Sequence, residues 1–278
     1  PLPEQAQDGT ALIVAMHDLT ERLKMDRMRA DFVANASHEL RTPLASVLGF
    51  TETLLGPAKN DLAAHEEFLG IMLKQANRMT RLIDDLLSLS RIELREHSRP
   101  TDSVNLEAVL RSTAELLERQ ANERGAKIVL SFAPNLPEVA ADAGELSQVF
   151  HNLVTNALKY GGEKAQVDIT GEISQDRPKT MPGRGPCLKV SVRDHGEGIS
   201  KEFLPRLTER FYRVDNARSR ALGGTGLGLA IVKHIMSRHR GALTIDSEIG
   251  KGSTFSVFLP IATSTGLSAP QQQSTIKP

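Results

Sequence analysis

One histidine in the stretch FVANASHELRTPL, residues 32–44, has the neighbours that imidazole chemistry needs. His38 is followed at once by Glu39, a carboxylate able to orient the ring or take its proton. Thr42 lies four residues on, on the same helical face. More than a hundred residues later, HNLVTNALKY sets Asn152 and Asn156 four apart, with Lys159 and Tyr160 three and four beyond. In a helix these four share one stripe. An Asn carbonyl is a hard oxygen donor suited to Mg²⁺, and an amine nearby can neutralise phosphate. In VSVRDHGEGI an apolar alternation ends on Asp194, followed by Gly196 and Gly198. A carboxylate at a strand end can accept from an amino group such as that of adenine, and the glycines let backbone approach closely. Then GGTGLGLAIV, 223–232, leads Gly223, Gly224, Gly226 and Gly228 into an apolar helix. Backbone N–H groups at such a helix start form an anion site. Together the pieces suggest a nucleotide site in one part of the chain and a phosphoryl acceptor in another.

Taken singly, each piece has a plainer reading. The Asn stripe fits a solvated polar face with an Asn cap, the DxGxG a simple turn, and a lone helical histidine a solvated or packed residue. The glycine run is neither the P-loop spacing nor the Rossmann GxGxxG, which needs a preceding strand. The weight lies in the order: Asn stripe, DxGxG, FYR at 211–213, GTGLGL, then GKGSTF at 250–255.

These residues need elements to position them. Residues 10–17, TALIVAMH, read as a strand. A helix is expected from Asp18, an N-cap residue with Glu21 three positions on. Met16, Leu19, Leu23, Ala30, Val33, Ser37, Leu40, Leu44, Val47 and Leu54 then follow a heptad-like seam, broken in register only by Asp26 and Thr51. If Ser37 is on that seam, His38 is one step of about 100° off it, at a reachable flank. Pro43 predicts a kink, since the pattern resumes in phase beyond it. Gly56, Pro57 and Asn60 end this helix. A second follows through Phe68, Met72, Gln75, Met79, Leu82, Leu86 and Leu89 and ends near 97–100. Phe32, Leu48, Ile71, Ile83 and Leu87 lie off the seam, more apolar surface than two helices can bury. The hairpin is therefore expected to pair in a homodimeric four-helix bundle.

Beyond Val104, helices are expected at 105–122, 142–160 and 226–237. Strands are expected at 127–132, 166–171, 188–194, 243–247 and 254–259. SQDRPKTMPGRGP is a loop, 199–224 a polar lid, and 262–278 a disordered tail. Met25, Met28, Met72 and Met79 read as core packing. The remaining histidines show no ligand clustering, which argues against a transition-metal site.

The 278 residues carry 34 Lys+Arg against 34 Asp+Glu, so net charge gives no reason to expect nucleic acid. The single cysteine, Cys187, excludes an intramolecular disulfide. No apolar run approaches the roughly 18 residues that span a bilayer. With no initiator Met, the opening reads as a piece cut from a longer protein.

In the order they occur, these motifs resemble those of the bacterial sensor histidine kinases. Residues 28–95 resemble the dimerisation and phosphoacceptor hairpin, whose box HELRTP this chain matches. Residues from about 105 to 261 resemble the α/β-sandwich ATP-binding domain shared with DNA gyrase, Hsp90 and MutL. The boundaries expected are the end of a truncated PAS-like sensor at 1–18 (DLTER resembles the exit from one), the hairpin at 19–100, the ATP-binding domain at 104–261 and the tail beyond. FVANASHELRTPLASVLGFTETL and MTRLIDDLLSLSRIE resemble the phosphate-regulon branch.

The resemblance implies ATP and Mg²⁺ as cofactors, with Asn156 the chief Mg²⁺ ligand and Asn152 beside it. It implies Lys159 on phosphate oxygens, Tyr160 against the nucleotide, Asp194 on the adenine amino group, and Gly196 and Gly198 making room for the base. Arg213 becomes a candidate γ-phosphate contact, with Thr225, Gly226, Leu227 and Gly228 around the phosphates. His195 stands where Asn or Thr is more usual, and Ser253-Thr254 where Gly-Thr is common. The resemblance also implies phosphotransfer from His38 to an aspartate of a response regulator. Glu39 and Thr42 point to the reverse duty too, Thr42 positioning a water that dephosphorylates the regulator. The whole protein is expected to be a membrane-anchored sensor of which this chain is the cytoplasmic portion.

Overall fold

A computed structural model describes residues 17–95, 98–162, 165–215, 219 and 222–261. The expected strand at 10–17 (but for His17), the PAS-like remnant (but for His17 and Asp18) and the tail at 262–278 lie outside them. The chain divides into two compact units, 1–76 and 77–278. The division falls inside the second long helix, whereas the boundary expected from sequence follows that helix's end.

Two long helices dominate the N-terminal part, α1 at Thr20–Leu55 and α2 at Leu62–Leu94. α1 begins one residue later than an Asp18 cap predicts, with Leu19 as its N-cap. Asp18 acts from one position farther out, its carboxylate accepting the Thr20 N–H at 2.8 Å. Glu21 thereby becomes the second helical residue, not the third that a capping box requires. Pro43 lies inside α1, which runs on through it. Proline lacks the N–H that would bond to the Glu39 carbonyl. One residue earlier, the Thr42 hydroxyl donates to the His38 carbonyl at 3.2 Å. Near the hairpin turn the Phe50 and Phe68 rings meet with centroids 4.9 Å apart. Much of the α1 seam is exposed in the single chain: Leu19, Leu23, Val33 and Leu44 are each more than half accessible. Met28, expected in a core, is exposed as well. α2 ends at Leu94, short of the expected 97–100.

In the second unit a five-stranded sheet runs in the order β2–β4–β5–β7–β6. Its strands are β2 (Lys127–Phe132), β4 (Gln166–Ser174), β5 (Cys187–Asp194), β6 (Ala242–Glu248) and β7 (Gly252–Pro260). β2 and β4 are parallel; the other pairs are antiparallel. Two further strands, β1 (Ser103–Val104) and β3 (Val139–Ala140), pair with each other. With only two residues apiece they have no alternation to betray them in sequence.

The helices are α3 (Leu106–Glu123), α4 (Ala143–Tyr160) and α5 (Gly228–Arg238). Asn105 caps α3 through the Ala108 N–H and Asp142 caps α4 through the Glu145 N–H. α3 packs on α4 and β2, α4 on α5 and β5, and α5 on β6. Cross-strand register puts Val167, Ile169, Val190, Val192, Phe255 and Val257 on one face, all buried. The other face carries Ser191 and Ser256, bonded across the strands at 2.8 Å. The period-2 rule puts Asp194 on the same face as Val192. The sheet therefore delivers a carboxylate to the end of its apolar face.

Candidate nucleotide site

α4 divides into two faces. Leu146, Val149, Phe150, Leu153, Val154, Ala157 and Leu158 are buried. Asn152, Asn156, Lys159 and Tyr160 instead line a cavity of about 1060 Å³. The heptad of apolar positions fixes the rotation of the helix, and that rotation aims the polar stripe into the cavity.

Asn152 donates from Nδ2 to the Gly228 carbonyl at 3.4 Å, which ties the stripe to the start of α5. One turn on, the carboxamide of the half-buried Asn156 makes no hydrogen bond to protein among the described residues. Burial, then the neighbouring Arg81 and Arg124, pushes the Lys159 ammonium below its ordinary pKa. The Tyr160 hydroxyl donates to Ser219 Oγ at 3.2 Å, and the Ser219 carbonyl accepts the Gly224 N–H at 2.8 Å. Tyr160 is thereby bonded into the glycine loop.

Asp194 is buried, and its Oδ1 accepts the amides of Gly196 at 2.9 Å and Ser253 at 3.3 Å. Burial raises the carboxyl above the usual carboxylate range, while those two amides pull it back. His195 turns to the other side, its Nε2 lying 2.7 Å from Asp168 Oδ2. Gly198 has φ of 72°, and a Cβ there would collide with the Glu248 carbonyl. Gly198→Ala therefore combines a left-handed backbone with a backbone clash, and at least about 2 kcal/mol of stability should be lost. Thermal unfolding of the variant with and without ATP checks this; an unchanged melting temperature would count against the close approach.

The glycine loop differs from expectation in its start: the helix begins at Gly228, not Gly226. Gly226 instead takes φ of 76° and its carbonyl accepts the Phe211 N–H at 2.8 Å. Arg213 donates from Nη2 to the Thr225 carbonyl at 2.8 Å, so it braces the loop from the lid side.

Ten of the residues expected from sequence line this one cavity: the four on α4, Asp194, Gly198, Arg213, Thr225, Gly226 and Gly228. Two do not. Leu227 is wholly buried, because the loop turns its one large apolar side chain into the core. Gly196 packs under Tyr160 and Gly161, where a Cβ would strike the Tyr160 carbonyl. His38, Glu39 and Thr42 belong to the other unit, on α1, with His38 and Thr42 exposed and Glu39 half-buried. Residues not singled out from sequence also line the cavity. Phe203, Leu207 and Ile249 supply apolar wall, and Arg81, Asp84 and Asp85 come from α2. In sequence the last three read as polar positions of a bundle helix.

The donor set can be tested for Mg²⁺. No group of three or more His, Cys, Asp or Glu capable of holding a metal occurs among the described residues. A cation here would rest on the Asn156 carboxamide oxygen, with phosphate oxygens and water completing its shell. That is the hard, mostly non-protein oxygen set Mg²⁺ accepts, so the residues fit.

The histidine kinase-, DNA gyrase B- and HSP90-like ATPase family matches residues 141–263, and the His Kinase A (phospho-acceptor) domain matches residues 28–95. The phosphate regulon sensor protein PhoR of Pseudomonas aeruginosa is 40% identical over 243 residues, 87% of this chain and 52% of that protein. The crystal structure of full-length ShkA in complex with AMPPNP is similar with a TM-score of 0.58 at 29% identity, over 84% of this chain and 46% of that one. The structure of the histidine kinase ThkA in complex with the response regulator protein TrrA shares the fold, with a TM-score of 0.64 at 21% identity over 87% of this chain and 65% of that one. The chain spans 39% to 63% of the length of the first curated relatives it matches. Among the described residues no helix is long and apolar enough to cross a membrane. With a phosphoacceptor match and an ATPase match in one chain, and with similarity to PhoR across 87% of it, the chain belongs to the bacterial sensor histidine kinases.

Proposed function

We propose that this chain binds Mg-ATP in the α4 cavity, transfers the γ-phosphoryl group to His38, and passes it to an aspartate of a response-regulator receiver domain. The observation that carries the reading is the convergence of the Asn152–Asn156–Lys159 stripe, Asp194 and the glycine loop on one cavity. Both amide bonds to Asp194 fall on Oδ1, which leaves Oδ2 to accept from the adenine amino group. The apolar wall of Phe203, Leu207 and Ile249 suits a base. Lys159, already disfavoured as a buried cation, gains most from an anionic partner.

Mg²⁺, when bound, would supply positive charge to offset the negative charge that builds on the transferring phosphoryl group. Asn156, with Asn152 beside it, would hold that ion. Arg213 and Thr225, which also line the cavity, would meet the end of the phosphate chain. An imidazole nitrogen of His38 attacks the γ-phosphorus in line, the bond to the β–γ bridging oxygen breaks, and ADP leaves. The imidazole proton passes to Glu39; a receiver carboxylate later attacks the phosphohistidine phosphorus, the P–N bond breaks, and the proton returns from Glu39 to leave neutral His38. Thr42 would orient the water of the reverse, phosphatase reaction.

Two such chains would pair through their hairpins, since the exposed Leu19, Leu23, Val33 and Leu44 of α1 need a partner face. The finer placement in the phosphate-regulon branch draws support from the similarity to PhoR. The full protein would be a membrane-anchored sensor with this portion in the cytoplasm. The test is to label the purified chain with ATP carrying ³²P in the γ position and add a panel of receiver domains. Rapid loss of label from the chain and its appearance on one receiver is expected. Retention on the chain with every receiver would contradict the relay.

A further inference from the structure

Asp85 and Arg81 are four residues apart on α2 and share a face. Both meet the glycine loop. The Thr225 hydroxyl donates to Asp85 Oδ2 at 2.6 Å. Gly223, with φ of 68°, has no Cβ, and one placed there would come within 2.9 Å of the Arg81 guanidinium. The loop is held from its other side by Tyr160 through Ser219, and by Arg213 on the Thr225 carbonyl. Asp85 also lies in the field of Lys159.

The Asp85 carboxylate is thus an anion on the hydroxyl, and beside the ammonium, that the function proposed above gives to phosphate. Two anions cannot share those partners in a half-buried site without a like-charge penalty. Burial already raises the Asp85 carboxyl above its ordinary range, with the Thr225 bond and Lys159 opposing. The contact is therefore poised, since a carboxylate short of hydration loses little on leaving. The geometry points to an autoinhibitory latch: Asp85 of α2 holds the glycine loop at Thr225 and must let go before the nucleotide phosphates engage Thr225 and Lys159.

This inference rests on the nucleotide reading of the cavity, and it adds that α2 controls nucleotide access. Released from Asp85, the loop presents Thr225 to phosphate while Arg81 and Lys159 remain as paired cations. Any shift of α2 that lengthens the Asp85–Thr225 contact then raises nucleotide affinity. Bound nucleotide in turn favours the shifted helix, because the coupling is reciprocal.

The experiment is a titration of the whole chain with AMPPNP and Mg²⁺, comparing wild type with Asp85→Asn and Asp85→Ala. Both variants should bind about fivefold tighter, the scale expected for removing one partly screened like charge. In the nucleotide-free protein, amide hydrogen exchange at residues 222–227 should be faster in both variants. Equal or weaker binding by both folded variants overturns the latch while leaving the nucleotide site standing. A wild-type chain that binds no AMPPNP overturns the site and the latch with it.

Discussion

His38→Ala should carry no label after incubation with γ-³²P ATP and Mg²⁺, while its affinity for AMPPNP stays within about twofold of wild type. The expectation follows from the separation of tasks. The cavity residues lie between Arg81 and Phe255, and His38 is not among them. Removing the imidazole therefore removes the nucleophile and nothing that binds nucleotide. Phosphoryl transfer is mostly positioning and charge neutralisation, so no other group compensates for a missing acceptor. Calorimetric titration alongside the labelling separates loss of the acceptor from loss of the fold. Label retained by the variant would move the acceptor elsewhere.

Asn156→Ala should lower the autophosphorylation rate about 100-fold, the scale seen when support for a metal is removed. Asn156 is the stripe residue whose carboxamide is uncommitted among the described residues, whereas Asn152 already bonds the Gly228 carbonyl. Adenine contacts through Asp194, as proposed, would not depend on the ion. The variant should thus keep nucleotide affinity measured with a chelator and lose the gain that Mg²⁺ gives wild type. Comparing affinity with Mg²⁺ and with chelator in both proteins checks it. A variant that still responds to Mg²⁺ as wild type does would remove Asn156 from the metal.

What could be read in the chain follows from periodicity. The α4 stripe was legible because seven apolar residues fix its rotation and leave the two Asn residues, Lys159 and Tyr160 on the remaining side. Asp194 was legible because it falls in step with Val190 and Val192 at the end of an alternating strand. The two-residue strands β1 and β3 have no period to show. The burial of Leu227 was not legible, because a residue inside a glycine loop can lend its backbone to a site while its side chain enters the core. Arg81 and Asp85 were illegible for a different reason. Their partners lie far along the chain, Thr225 being 140 residues from Asp85, and a helix pattern says only that they are polar. The exposed apolar seam of α1 is the converse case: the pattern predicted burial that one chain alone does not supply.

The proposed relay requires the imidazole of His38 to take phosphate from ATP bound in the α4 cavity. The most direct measurement is to label the wild-type chain with γ-³²P ATP and Mg²⁺, treat it with acid or alkali, and map the labelled peptide. The label should be lost in acid, survive alkali, and reside on the peptide containing His38. Acid-stable label, or label on a peptide lacking His38, would contradict it.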